Sequence, residues 1–179
     1  PYLDQLYGAV QMIESGTTTV QAIHTPGRGF GPVSMEIADK VVKAYQDSGM
    51  RVSYAPSIAN QNSMVAGAGG GEEEFAAQMP SDLGERYKSF MAQGYRPVEE
   101  VMPVLKEISN KYGNNRYERI QVTMAPSNVH RCSDELLMEL KALATRYNTG
   151  IHIHLQETVY HQLYGFRARN KTPRPGPYI

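Results

Sequence analysis

Strands and helices alternate along this chain, and that order restricts the fold more than any single residue does. Tyr2 to Glu14 places Leu3, Leu6, Tyr7, Val10 and Ile13 on one helical face. Ser15-Gly16 ends that pattern, and Thr17 to Ile23 follows as a β-branched strand. Ser34 stands where it can cap a helix over Met35 to Gln46, with Ile37, Val41, Val42 and Tyr45 as its buried stripe. Gly49 stops the helix, and Arg51 to Ala55 reads as a second strand. A long loop, Pro56 to Pro80, leads to helical patterns over Ser81 to Gln93 and Pro97 to Tyr112; Val98, Val101, Leu105 and Ile108 share one face of the second. A third strand, Arg119 to Ala125, precedes a helix from Asp134 to Tyr147 capped by Ser133, with Asn148 to Gly150 as its stop. Ile151 to Leu155 is the fourth strand, and a last helix starts near Thr158 and runs toward Arg167. One helix followed by four strand–helix units predicts an α/β fold with a parallel sheet.

In parallel sheets, ligands collect outside the carboxyl ends of the strands. The polar candidates fall there. His24 follows the first strand, Asn60 to Asn62 the second, Ser127 to His130 the third, and His154 with Glu157 the fourth. No dinucleotide or phosphate-loop glycine motif follows any strand, and the run Gly67 to Glu74 lacks the lysine and hydroxyl residue that phosphate binding needs. That run reads as a hinge followed by a solvated acidic face.

The chemistry concentrates in Ile151-His152-Ile153-His154-Leu155-Gln156-Glu157-Thr158. Neutral imidazole is the commonest protein ligand for zinc and similar divalent ions. A carboxylate one turn beyond it can carry protons for a hydrolytic step. The bland alternative makes His154 a satisfied core histidine and Glu157 a helix-start carboxylate. His152 and His154 share one face of the strand; His152 is expected as an interior, hydrogen-bonded histidine rather than a ligand. His24 and His130 are candidates for pocket lining and substrate contact, whereas His161, a turn into the last helix, is expected at the surface. Cys132 sits beside a helix N-terminus, a position that lowers a thiol pKa, but no base is tied to it.

The charge balance removes several classes. The 18 basic and 18 acidic residues cancel, and no basic stripe interleaved with aromatics exists, which disfavours nucleic acid and anionic membranes as partners. No apolar run reaches the about 20 residues of a membrane-spanning helix. The single cysteine fits a reducing cytoplasm, the expected location. Pro1 opens directly into a helical pattern and the end is proline-rich, so the chain is expected to be a fragment: a folded unit over residues 1–173 and a tail over 174–179.

Four segments are similar to the amidohydrolase superfamily, in particular its cytosine deaminase, guanine deaminase and chlorohydrolase branch. They are Gly16 to Val20, Met50 to Pro56, Ala125-Pro126 through Ser133, and Gly150 to Thr158, the last being the most specific. The resemblance implies a partial (β/α)8 barrel whose four strands correspond to barrel strands two to five. It implies one divalent metal, zinc or iron, with His154 as the strand-five ligand and Glu157 as the proton relay. The reaction it implies is attack of metal-activated hydroxide on an electron-poor carbon of a small nitrogen heterocycle, expelling ammonia or chloride. The remaining ligands would lie outside this chain, so the fragment is expected to be inactive alone, and the full-length protein is a candidate homo-oligomer.

Two departures bear on substrate. Ser127 stands where many of these deaminases place a substrate-contacting histidine, with His130 three residues later, and Asn60 stands where relatives often carry aspartate. The substrate-binding candidates are therefore His24, Asn60, Ser127 and His130. Two other readings stay open: a metal-dependent lyase on the same barrel, and a non-catalytic open α/β module that binds a small ligand.

Overall fold

A computed structural model describes residues 1–25, 33–62, 71–113 and 118–169, with side chains to residue 165. Most of the Thr25 to Pro32 loop, the glycines at 67, 69 and 70, and the proline-rich tail lie outside the described residues. One strand organises the sheet. β2 (Arg51–Ile58) pairs in parallel with β1 (Thr19–His24) on one side and with β3 (Ile120–Val122) and β4 (Ala125–Pro126) on the other. Val52, Tyr54, Pro56 and Ile58 are all buried on one face of it, as period-two alternation requires. The result is an open parallel sheet with flanking helices, a partial (β/α) barrel of about four strand–helix units.

β2 runs three residues past the expected end, and the expected third strand is broken in two. The register explains the break. Tyr54 pairs with Val122 and Ser57 with Ala125, so Ala55-Pro56 lies opposite Thr123-Met124. Pro56 has no N–H to give to the ladder, and pairing lapses at that point. The expected fourth strand is reduced to two isolated parallel bridges, Met124 to Ile151 and Asn128 to His154. Four steps on one side of these bridges face three on the other, so a continuous ladder cannot keep in step.

Helices α2 (Met35–Ser48), α5 (Val98–Tyr112) and α6 (Asp134–Arg146) carry the core. Their expected stripes are buried: Ile37, Val41, Val42 and Tyr45 on α2, and Val98, Val101, Leu105 and Ile108 on α5. Ser34 Oγ accepts from Ile37 N, and Gly49 closes α2 at φ 74°, a left-handed position that suits glycine. Helix α1 (Tyr2–Glu14) departs from its expected face. Leu3 and Tyr7 are 76% and 65% exposed, and α1 packs on α2 through buried Ala9 and half-buried Met12 instead. The small Ala9 side chain permits close approach, while the larger apolar residues face away.

The expected loop from Pro56 to Pro80 contains a helix, α3 (Gly71–Ala77), which pairs with α4 (Ser81–Ala92). Glu72, Glu73 and Glu74 occupy its first turn, where the positive end of the helix favours them. Glu72 also accepts a hydrogen bond from Tyr95 Oη at 2.7 Å, so the acidic run is not merely solvated. Gly84 on α4 lies against this pair. A Cβ there would stand 2.6 Å from the Ala76 carbonyl oxygen. Gly84→Ala is therefore predicted to lower stability by about 1–3 kcal/mol despite alanine's better helix propensity. Urea denaturation tests it; a variant as stable as the parent would show that α3 and α4 separate freely.

Candidate functional site

The strand ends form one edge. His24 lies level with Pro56, Ile58 with Pro126, and Asn128 with His154. The loops that leave this edge after β2 and β4 are locked together by polar groups. Asn60 Nδ2 donates to Ser133 Oγ at 3.0 Å, and Asn60 Oδ1 accepts from Ser133 N at 2.9 Å. The same Ser133 hydroxyl accepts from Leu136 N, capping α6. Arg131's carbonyl accepts from Asn60 N and Gln61 N at 3.0 and 3.1 Å. Gln61 Nε2 reaches the carbonyls of His130 and Cys132, and Asn62 Nδ2 also reaches that of His130. Asn60 is thus placed with both amide ends on Ser133, and the Asn60 to Asn62 segment holds the loop that carries His130.

His154 sits beyond this clasp. Its backbone N and its ring Nδ1 both meet the Ser127 carbonyl, at 3.3 and 3.0 Å. A carbonyl only accepts, so Nδ1 carries a proton, and in the neutral ring the lone pair then lies on Nε2. That tautomer, fixed by a backbone carbonyl, is the arrangement in which a histidine presents Nε2 to a metal. His152 lies behind it, its ring 6.5 Å from that of His154 and near parallel, at 24°. Its Nδ1 is buried with no hydrogen-bond partner among the described residues.

Between His154 and Glu157 the chain turns sharply. Gln156 adopts φ 52°, a left-handed conformation costly for a residue with a Cβ. The turn leads into α7 (Val159–Arg169) and sets exposed Glu157 near two further imidazoles. His130 and His161 pack with ring centroids 4.6 Å apart, and Tyr164 lies 5.8 Å from His130. These rings, with His154, Leu155 and Gln156, line a recess. Burial, helped by the His161 ring and the Arg131 charge, lowers the His130 pKa to about 4, and the Glu157 carboxylate opposes that shift. Burial lowers His161 as well, again against Glu157. Both rings are neutral at pH 7.

The expectation that His161 lies at the surface is corrected: it is 9% exposed. Its position is the third of α7, and Thr158 accepts from its N–H through both carbonyl and hydroxyl, at 3.1 and 3.4 Å. A threonine three residues ahead was the available signal, because a cap fixes where the first helical turn points. Cys132 is corrected too. Full burial raises its thiol to about 11, overriding the helix terminus, and Sγ donates to the Ile58 carbonyl. His24 is not brought into the recess; it ends β1 with its ring 6.1 Å from Tyr54, on the face that also carries Val52. Burial lowers its pKa, and Nδ1 has no hydrogen-bond partner among the described residues.

His154 fits a metal as one ligand, with its tautomer set. Among the described residues, however, no group of three His, Cys, Asp or Glu side chains converges to hold an ion. Nor is any described helix long and apolar enough to cross a membrane.

The chain belongs to the amidohydrolase family, whose model matches residues 2–170. It is 27% identical over 158 residues to 5'-deoxyadenosine deaminase of Methanococcus vannielii and 28% identical to that of Methanocaldococcus jannaschii, covering 88% of this chain in each case. It spans only 28% of the length of either relative. Its fold matches guanine deaminase from C. acetobutylicum at TM-score 0.65 and 18% identity, over 96% of this chain and 32% of that one. It matches atrazine chlorohydrolase from Arthrobacter aurescens, solved with zinc, at TM-score 0.67 and 18% identity, over 94% and 33%.

Two outcomes follow for the clasp and the ring pair. Asn60→Ala leaves Ser133 N without its acceptor and is expected to cost about 1–3 kcal/mol in urea denaturation. Asn60→Asp keeps that acceptor, and the Ser133 hydroxyl can turn to donate, so near-parental stability is expected; equal losses in both variants would rule out the clasp. His130 binds its proton less readily folded than unfolded, so its contribution to stability is complete above its ordinary value of 6.5 and is lost as pH falls toward about 4. His130→Gln should flatten the measured stability across that window.

Proposed function

We propose that this chain forms part of a metal-dependent hydrolase that removes an amino or chloro substituent from an uncharged nitrogen heterocycle. The observation that carries the reading is His154, whose Nδ1–H is committed to the Ser127 carbonyl while Nε2 is left for a ligand bond, with Glu157 three residues on. The relatives support it, since their names describe deamination of 5'-deoxyadenosine and guanine and dechlorination of atrazine.

In this proposal His154 supplies one metal ligand, and the other ligands come from protein outside this chain. A divalent ion, zinc or iron, supplies Lewis acidity that makes water a nucleophile near neutral pH. Glu157 takes the proton released on attack and returns it to the departing amine, balancing the step without free hydroxide or acid. Ser127 has two parts: its carbonyl orients His154, and its side chain borders the substrate. His130 contacts the ring, Asn60 fixes the loop that carries His130, and His24 meets the outer part of a substrate larger than the recess.

The test uses the full-length protein. His154→Ala is expected to lower bound metal severalfold, measured by elemental analysis; unchanged metal content would remove the assignment. Glu157→Gln is expected to retain metal and lose at least about 100-fold in turnover of an aminopurine or chlorotriazine panel, read as released ammonia or chloride. The 179-residue chain by itself is expected to release neither.

A further inference from the structure

The turn between His154 and α7 is anchored at both ends. His154 is held by its backbone N and its ring Nδ1 to the Ser127 carbonyl, and Thr158 caps α7 by accepting from the His161 N–H through carbonyl and hydroxyl. Gln156 stands midway between these anchors and carries the bend, at φ 52°. We infer that Gln156 is a positioning residue for the hydrolytic step: its left-handed backbone returns Glu157 to the side of the sheet edge on which His154 presents Nε2. This rests on the hydrolase reading above and adds how the metal ligand and the proton relay come to face one substrate.

Regular strand geometry cannot bring the two groups together. Side chains alternate faces along a strand, so an extended chain through Leu155 and Gln156 would put position 157 on the face opposite His154 and about 10 Å further along. One left-handed residue breaks that alternation within a single step. The effect is seen at His161. Burial lowers the pKa of that ring; the Glu157 carboxylate opposes the shift and the His154 ring adds to it, so both lie within electrostatic reach of one imidazole.

Nothing in glutamine itself favours this conformation. Among the described residues, Asn62, Asn148 and Gln156 are the ones other than glycine at positive φ. Asparagine tolerates it because its short amide can bond to nearby backbone, and Asn148 follows the end of α6, where a left-handed residue commonly closes a helix. Gln156 has neither reason. It is exposed, so packing of its own side chain does not impose the bend. The strain is held by the anchors at Ser127 and Thr158, as expected where a backbone outlier serves a site. Glycine adopts the same φ without steric cost, and valine, branched at Cβ, adopts it least readily.

Crystal structures, metal content and turnover of the full-length protein test the inference, with turnover read on the aminopurine and chlorotriazine panel. Gln156→Val is expected to move the Glu157 carboxylate away from His154 Nε2 by about 2 Å or more and to keep the parental metal content. Its kcat should fall at least about tenfold, with KM within about threefold of the parent. Gln156→Gly and Gln156→Asn should keep the Glu157 position and a kcat within about threefold of the parent, which separates the backbone from the side chain. In a Glu157→Gln background, Gln156→Val should cost nothing more, because the group it positions is already gone. Circular dichroism is read on the same samples, and Gln156→Thr, branched but polar, carries the same expectation if the valine variant unfolds. Parental kcat or an unmoved Glu157 in the branched variant would overturn the inference, as would a glycine variant equally impaired or a further loss in the double variant. Loss of metal in Gln156→Val would overturn it too, by placing the effect on His154. A parent that binds no metal, or turns over nothing in the panel, would remove the hydrolase reading and the inference with it. An active, metal-bound parent beside an unimpaired Gln156→Val would remove the inference alone.

Discussion

Parallel pairing through β2 is the constraint from which the site follows. A parallel ladder points every strand the same way, so the carboxyl ends of β1, β2 and β4 and the bridge at His154 must share one edge. Residues more than 100 positions apart in sequence, such as His24 and Ile151, thereby reach neighbouring levels of one surface. Hydrophobic burial of Val52, Tyr54 and Val122 against α2 and α5 fixes the register, because a slip by one residue would turn those side chains to the opposite face. The polar groups at the edge inherit their positions from that register.

Past the last ladder bond, another set of forces takes over. Pro56 interrupts pairing, which resumes briefly at Ser57 and Ile58, and the chain beyond Ile58 is held by the Arg131 carbonyl and by side-chain amides rather than by a strand ladder. Asn60, Gln61 and Asn62 do the work that a longer β2 would have done, but with bonds that can follow an irregular loop. Gln156 contributes the opposite element, a left-handed residue that bends the chain from strand direction into α7. The site therefore combines a rigid sheet edge, a hydrogen-bonded clasp and one strained turn.

Much of this was legible in the sequence. Alternating β-branched and helical patterns gave the parallel sheet, and caps at Ser34 and Ser133 marked helix starts at the right residues. His154 and Glu157 stood out because ligand-type residues followed an apolar strand. What escaped was information carried by neighbours. Periodicity alone put Leu3 and Tyr7 of α1 inside, yet the helix turned Ala9 inward. Burial overrode the helix terminus at Cys132, and His161 looked like a surface residue until the cap at Thr158 and the His130 ring gave it a place. The engagement of Asn60 with Ser133 spans 73 positions, which no local pattern records.

That engagement has a consequence for descent. One hydroxyl, on Ser133, both starts α6 and receives the amide of Asn60, so the two positions form one mechanical part. A substitution at either disturbs a helix start and a loop together. The pair should drift through related sequences as a unit, with Asn or Asp at one position tracking a hydroxyl residue at the other, while exposed positions beside them vary independently.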